Sequence, residues 1–442
     1  MIEDRDDLAR TPAHDLALSC VEAGIDAARP EQVVHDSLTV EGDQLRIAED
    51  VMDLGAFERV VVLGGGKATA GVAATLETVL GDRLDGGVVV TDDPVETDRV
   101  TVREGDHPVP SECGVEGART VREAAADADA GTLVLAVLTG GGSALLPAPA
   151  DGIALSDLQT VTESLLAAGA PIAAVNAVRK HCSAIKGGQL ARAAAPATVI
   201  TLLFSDVVGD DPSVIASGPT VPDPTTFRDA RQVLDDYDVD PPTAVESRIE
   251  RGVAGEIAET PDADDPAFER GRTHVLANGR TAIDAARDVA AEAGFTPLVL
   301  TAGIEGEARE VARTHAAVAR EISETGDPVQ PPAVVLSGGE TTVTVEGDGR
   351  GGPNCEFALS AARSLPPGTV LAAVDTDGRD GRSGAAGALV DADTVDDDAV
   401  ADRALADNDA ATYLDERAAL LRTGQTGTNV NDLHVLVVDD TA

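Results

Sequence analysis

The sequence predicts an α/β protein built as two dissimilar α/β/α domains. Three observations lead there. Short β-branched runs recur, each followed by a glycine turn and a helix-forming stretch. The runs are almost continuously apolar, as strands of a parallel sheet covered on both faces must be. A Pro/Asp-rich stretch then interrupts the alternation between residue 221 and about residue 272. A length of 442 residues suits two or three domains at about 150 residues each. With 43% hydrophobic residues, the chain has enough apolar side chains for a large core, which excludes a disordered acidic polymer.

Taken in order, the first unit is a strand at 60–63, the turn Gly64-Gly65-Gly66-Lys67, a helix to about 80 and a second strand at 88–91. Strands at 133–138 and 199–204 follow, ending in Thr139-Gly140-Gly141-Gly142-Ser143 and in Ser205-Asp206. The Pro/Asp-rich stretch, including Pro241-Pro242, reads as an interdomain connection. The boundaries are set at 1–240 for the first domain, 241–272 for the connection and 273–442 for the second domain. The second alternation is predicted as strands at 274–277, 298–301, 334–337, 341–346, 370–375 and about 433–438, with a helix over about 281–293. In such sheets ligands bind beyond the carboxyl ends of the strands, where each glycine turn falls.

The charge is strongly one-sided: 33 Lys+Arg against 78 Asp+Glu leave a net charge of −45. Such acidity excludes the basic surface that nucleic-acid recognition needs and opposes docking on anionic membranes. The only lysines are Lys67, Lys180 and Lys186, and aromatics are 2% of the chain. This composition resembles that of proteins from salt-accumulating haloarchaea, whose carboxylate self-repulsion is screened at high ionic strength. Three surviving lysines in such a chain are candidates for chemistry. The opening residues carry neither the basic end nor the apolar core of a signal peptide, and no apolar run approaches the ~20 residues of a membrane span. Four dispersed cysteines fit reduced thiols. The expectation is a cytoplasmic protein, monomeric or homodimeric.

The motifs point to a small anionic ligand. Gly64-Gly65-Gly66-Lys67 lies between strand and helix, where amides can face an anion beside a lysine charge. It is no Walker A loop, since Val61 and Ala68 break that pattern, and Thr69 stands where a dinucleotide fingerprint needs its third glycine. Gly141 and Gly142 repeat the geometry with the Ser143 hydroxyl at a helix entry. Asn176, Arg179 and Lys180 fall at i, i+3 and i+4, with Lys186 beyond; cations clustered in an acidic chain suit a carboxylate or phosphate. Asp206 at a strand end is a candidate general base, Asp210 a magnesium contact, and Ser217 lies in a second polar loop. Gly338-Gly339 follows another strand, and Arg350, in a glycine loop, is placed to clamp transferring phosphate oxygens. Two enzyme readings follow from these residues: an ATP-dependent transferase acting on a small carboxylate, and a nicotinamide-dependent oxidoreductase using the Gly64–Gly66 turn and Asp92. A third reading is anion binding without chemistry.

Together the motifs resemble the glycerate 2-kinase family whose C-terminal half is called the MOFRL domain. The matching stretches are Leu-Gly-Gly-Gly-Lys-Ala (63–68), Leu-Thr-Gly-Gly-Gly-Ser-Ala-Leu-Leu (138–146) and Asn-Ala-Val-Arg-Lys-His-Cys-Ser-Ala-Ile-Lys-Gly-Gly (176–188). Ser-Asp-Val-Val-Gly-Asp (205–210), Ala-Ser-Gly-Pro-Thr (216–220), Leu-Ser-Gly-Gly-Glu-Thr-Thr-Val (336–343) and Thr-Gly-Thr-Asn-Val-Asn-Asp-Leu (426–433) continue the order. The resemblance implies a Rossmann-like N-terminal domain, a smaller C-terminal domain with a mixed sheet (its MOFRL region at about 330–440) and an active site in the cleft between them. It implies transfer of the ATP γ-phosphate to the C2 hydroxyl of D-glycerate with Mg²⁺, giving 2-phosphoglycerate. Members are also labelled hydroxypyruvate reductases, so an NAD(P)H-dependent reductase is the alternative. On this reading Lys67 assists phosphate transfer and Asp206 orients or deprotonates the hydroxyl. Ser143, Asn176, Arg179, Lys180 and Lys186 hold glycerate. Gly64, Gly65, Gly66, Gly141, Gly142, Ser217, Gly338 and Gly339 hold the nucleotide. The family's arginine before Asn-x-Glu is Pro353 here, and Arg350 is the expected substitute.

Overall fold

The computed structural model describes residues 1–439. Two compact units form, one from Val33–Ser205 and Asp210–Leu276, the other from Met1–Gln32, Asp206–Gly209 and Ala277–Ala442.

The first of these carries a small antiparallel meander, β1 (Leu38–Glu41), β2 (Gln44–Ile47) and β3 (Asp50–Asp53). Its main sheet contains β4 (Arg59–Gly65), β5 (Gly86–Thr91), β6 (Val100–Glu104), β7 (Thr132–Thr139), β8 (Thr198–Phe204) and β9 (Gly271–Ala277). Their spatial order is β6-β5-β4-β7-β8-β9, and β6 through β8 run parallel. Counted from β4, this is the 3-2-1-4-5-6 order of a doubly wound Rossmann-like sheet. The chain leaves β4 in one direction and returns beyond it at β7, so right-handed crossovers put helices on opposite faces. All eight residues of β7 are buried, as a central strand covered twice requires.

Beside the sheet lies a helical cluster formed by Leu155–Ala167, Ile172–His181, Phe227–Asp236 and Thr243–Val253. Val161, Leu165, Val175, Val178, Phe227, Leu234, Val245 and Ile249 share its core. Much of the segment read as a connection is therefore helix. Short helices are possible in such a stretch, and its sparse apolar residues fall at helical spacing and pack against the Leu155–Ala167 and Ile172–His181 helices. The strand predicted at 274–277 likewise closes the first sheet as β9 rather than opening the second domain.

The other unit is built on a mixed sheet of β10 (Thr296–Glu307), β11 (Ala333–Thr342), β12 (Thr369–Asp375), β13 (Gly387–Asp391), β14 (Leu420–Leu421) and β15 (Asp432–Val438). The order is β10-β11-β15-β12-β13-β14; only β10 and β11 pair in parallel, and the other pairs are antiparallel. The N-terminal helix Pro12–Ala27 belongs here, where the Cys20 thiol donates to the Ala286 carbonyl at 3.4 Å. The chain is thus grouped differently from the sequence boundaries 1–240 and 273–442. A long-range helix contact decides the matter, and local periodicity does not record it. The two strands predicted at 334–337 and 341–346 are one, β11, ending at Thr342.

Candidate active site

The turns after β4 and β7 lie side by side at the crossover of the doubly wound sheet, because Gly64 pairs with Val137 and Gly65 with Leu138 in parallel register. Their closeness explains the glycines. A Cβ on Gly64 would run into the Val137 carbonyl, and one on Gly66 into the Thr139 hydroxyl. The amides are engaged too: Gly66 N–H donates to Val90 O at 3.0 Å, Lys67 N–H to Gly140 O at 2.9 Å and Ala68 N–H to Thr139 Oγ1 at 3.1 Å. Gly64, Gly65 and Gly66, expected to cradle phosphate, thus let two turns meet, and the Gly66 amide has a partner within the protein. Lys67 is held between them, half-buried, its carbonyl accepting from Thr91 Oγ1 at 3.0 Å.

Ser143 enters the short helix Gly142–Leu145, and a polar chain runs from it. The Ser143 and Ser217 hydroxyls are 2.7 Å apart. Ser217 Oγ donates to Asn176 Oδ1 at 3.0 Å, which leaves Ser143 as the donor to Ser217. Arg179 Nη1 donates to the same Asn176 oxygen at 3.2 Å, while the buried Asn176 Nδ2 has no hydrogen-bond partner. Lys186 is 2% exposed, and its Nζ donates to the Ser143 carbonyl at 2.9 Å. Burial, and then the neighbouring Arg179 charge, push the Lys186 amine well below its ordinary range; burial also lowers Arg179. Ser217 sits in a left-handed run, Ala216 (φ 50°), Ser217 (φ 63°) and Gly218 (φ 64°). Such backbone costs on the order of 1–3 kcal/mol at each non-glycine residue. It is held by Gly187 N–H on Ser217 O and Gly188 N–H on Gly218 O. Ser217 is therefore the hub that orients Asn176 and Ser143, in place of the nucleotide contact expected of it.

Ser143, Arg179 and Lys186 open onto one pocket of about 360 Å³, with Gly141, His107 and an apolar wall that includes Val109, Pro147, Leu158 and Leu166. Gly141 (φ 78°) is required: a Cβ there would come within 3.1 Å of both His107 Cδ2 and Lys67 Cγ. Gly142 packs against Ala216 and the Gly65 carbonyl. Sequence reasoning missed His107 and the apolar wall. The available signal was a histidine between turn-forming residues, Gly105-Asp106-His107-Pro108-Val109-Pro110, just past a strand end.

Other candidates lie elsewhere. Lys180 is committed to a buried ion pair, Nζ 3.2 Å from Asp223 Oδ1, with side-chain exposures of 5% and 0%. It does not line the pocket, because the residue at i+4 from Asn176 turns toward Asp223 while Arg179 turns toward the Asn176 amide and the pocket. Asp206 belongs to the second unit, where Asn429 Nδ2 donates to its Oδ2 at 3.3 Å. Asp210 has a left-handed backbone (φ 54°), and no group of three or more His, Cys, Asp or Glu suited to a metal forms among the described residues. Gly338 and Gly339 lie inside β11 opposite Leu433 and Asp432 rather than in a turn. A Cβ on Gly339 would strike the Ile304 carbonyl, so strand packing demands this glycine. Arg350, expected to clamp phosphate, is exposed and paired with Asp415 at 2.9 Å. Pro353 occupies the first turn of the helix Pro353–Ala362, where no N–H is needed.

Comparison with known proteins agrees with this architecture. A domain of unknown function, DUF4147, matches residues 16–250, and the MOFRL family matches residues 333–432. A putative hydroxypyruvate reductase of Agrobacterium vitis is 43% identical over 86% of this chain and 87% of its own length. The glycerate 2-kinase of Pyrococcus horikoshii is 38% identical over 96% of this chain and 97% of its own. The crystal structure of a glycerate kinase from Thermotoga maritima superposes with a TM-score of 0.84 at 36% identity, covering 96% of this chain and 98% of that one. With its doubly wound first sheet, its mixed second sheet and near full-length likeness to two of these relatives, the chain belongs to the glycerate 2-kinase family with a C-terminal MOFRL domain.

Proposed function

We propose that the chain transfers the γ-phosphoryl group of ATP to the C2 hydroxyl of D-glycerate, giving 2-phosphoglycerate. The observation that carries this reading is the convergence of Ser143, Arg179 and Lys186 on one pocket, with Lys67 beside its lining residue Gly141. Two cations and a hydroxyl suit a short hydroxy acid: the carboxylate takes Arg179 and Lys186, and the unpartnered Asn176 Nδ2 adds a donor beside them. Lys67 supplies a point charge for the transferring oxygens, where catalysis is mostly positioning and charge stabilisation. Asp210 is the residue that would hold Mg²⁺, which would neutralise charge on the nucleotide phosphates when bound.

The reductase reading has less support. The amides of the first glycine turn are engaged internally, and Asp92 is exposed. The test is an assay in molar KCl with D-glycerate, ATP and Mg²⁺, coupled through enolase, which reports 2-phosphoglycerate directly. Signal that requires an added mutase would mean transfer to the C3 hydroxyl. NAD(P)H oxidation by hydroxypyruvate without any kinase signal would replace this reading with the reductase. Lys67→Ala is expected to lower kcat far more than it raises KM; an unchanged kcat removes Lys67 from the transfer step.

A further inference from the structure

We propose that His107 accepts the proton of the hydroxyl that receives the phosphoryl group, an inference that rests on the kinase reading above. His107 follows β6, at the carboxyl end of the doubly wound sheet, and lines the same pocket as Ser143, Arg179 and Lys186. It stands beside Lys67, since a Cβ on Gly141 would lie 3.1 Å from His107 Cδ2, 3.4 Å from His107 Nε2 and 3.1 Å from Lys67 Cγ. The missing side chain of Gly141 is the space in which the two meet. Pro108 and Pro110 restrict the backbone that carries the ring.

The geometry matches the reaction. An acid anchored by its carboxylate on Arg179 and Lys186 carries its C2 hydroxyl one carbon away, inside the pocket that His107 lines. A histidine imidazole is the commonest proton acceptor in general-base catalysis. The charged groups lining this pocket are Arg179, Lys186 and Glu163, and Lys67 lies beside its lining residue Gly141. Arginine has no proton-accepting form, Lys67 is assigned to the phosphoryl oxygens, and Lys186, whose Nζ donates to the Ser143 carbonyl, is assigned to the carboxylate. Glu163 also lines the pocket, on the helix Leu155–Ala167, but only His107 shares the Gly141 contact with Lys67. In the step itself the C2 O–H bond breaks and its proton passes to the neutral imidazole. The oxygen bonds to the γ-phosphorus, the bond from that phosphorus to the bridging oxygen breaks, and ADP leaves. The imidazolium then returns its proton to solvent.

The experiment measures kcat and KM for glycerate across about pH 5 to 8.5 for the wild type, His107→Gln, His107→Ala and Asp206→Asn. For His107→Gln a loss of about 10²-fold or more in kcat is expected, with KM within about threefold and the acid limb flattened. Imidazole added to His107→Ala should restore part of the rate, the rescue following the basicity of substituted imidazoles. A His107→Gln enzyme with kcat within about threefold of wild type and an intact acid limb overturns the inference. So does a loss confined to KM without rescue, or a limb flattened by Asp206→Asn instead. A wild-type enzyme inactive on glycerate refutes the kinase reading and this inference with it, whereas an active wild type with an unaffected His107→Gln refutes the inference alone.

Discussion

Replacing Lys180 by methionine keeps most of the side-chain stem but removes the ammonium from its buried pair with Asp223. The two side chains are 5% and 0% exposed and 3.2 Å apart. A buried pair adds little net stability over an apolar replacement of both partners, but breaking one by removing a single partner costs about 3–5 kcal/mol, because it strands the other charge. Asp223 would still accept from Thr260 Oγ1 at 2.9 Å and from Thr225 N and Oγ1 at 3.1 and 2.8 Å. Those three neutral donors put the expected loss at the lower end, about 3 kcal/mol, or about two powers of ten in the folding equilibrium. Urea titrations at fixed salt, followed by circular dichroism, measure it. A double-mutant cycle with Asp223→Asn should show the double variant losing less than the sum of the singles. Glycerate KM of the folded Lys180→Met enzyme is expected to match wild type. A loss below about 1 kcal/mol together with a tenfold rise in KM would refute this reasoning and return Lys180 to the substrate.

Three further outcomes are expected. Asp432 is buried beside Asp380, its carboxyl pushed up to about 7 mainly by burial. The unfolded group ionises near pH 4, so the folded state holds the extra proton between about pH 4 and 7 and its stability falls as pH rises through that window. Asp432→Asn should lose that slope; equal slopes in denaturation midpoints would contradict the account. Gly141→Ala forces a Cβ against His107 and Lys67 at positive φ, and is expected to reduce kcat by about 10²-fold through misplacement of both; retention of full activity would show that they do not act together. Arg350→Ala removes only an exposed ion pair with Asp415, and is expected to leave kcat within about twofold and the unfolding midpoint unresolved from wild type. A large kcat loss would restore it as a phosphate clamp.

The acceptor pocket was partly legible. Ser143, Arg179 and Lys186 are brought together, and the scarcity of lysine had singled out Lys67 and Lys186. It misled at Lys180, since one helical turn holds both a pocket-facing and an inward-facing cation, and spacing does not tell which partner each meets. The glycines misled in a consistent way. Gly64, Gly66 and Gly339 read as ligand cradles, yet a glycine that lets two strands or turns approach leaves the same trace as one that lets a phosphate approach. His107 was missed because its neighbours in the fold, Gly141 and Lys67, stand 34 and 40 residues away along the chain.

What the sequence by itself determined was the class of fold and the family. Continuous apolar strands at 60–63, 133–138 and 199–204 dictate a sheet covered on both faces, and ordered motifs along nearly the whole chain carry the resemblance. Only the tertiary structure decided where β9 pairs, which unit receives the N-terminal helix, and whether a polar residue meets a ligand or another residue. Strand order and helix docking are set by burial between segments far apart in sequence. A side chain's role is set by the partner within hydrogen-bond reach, and that partner becomes visible once Ser217 stands against Asn176 and Lys180 against Asp223.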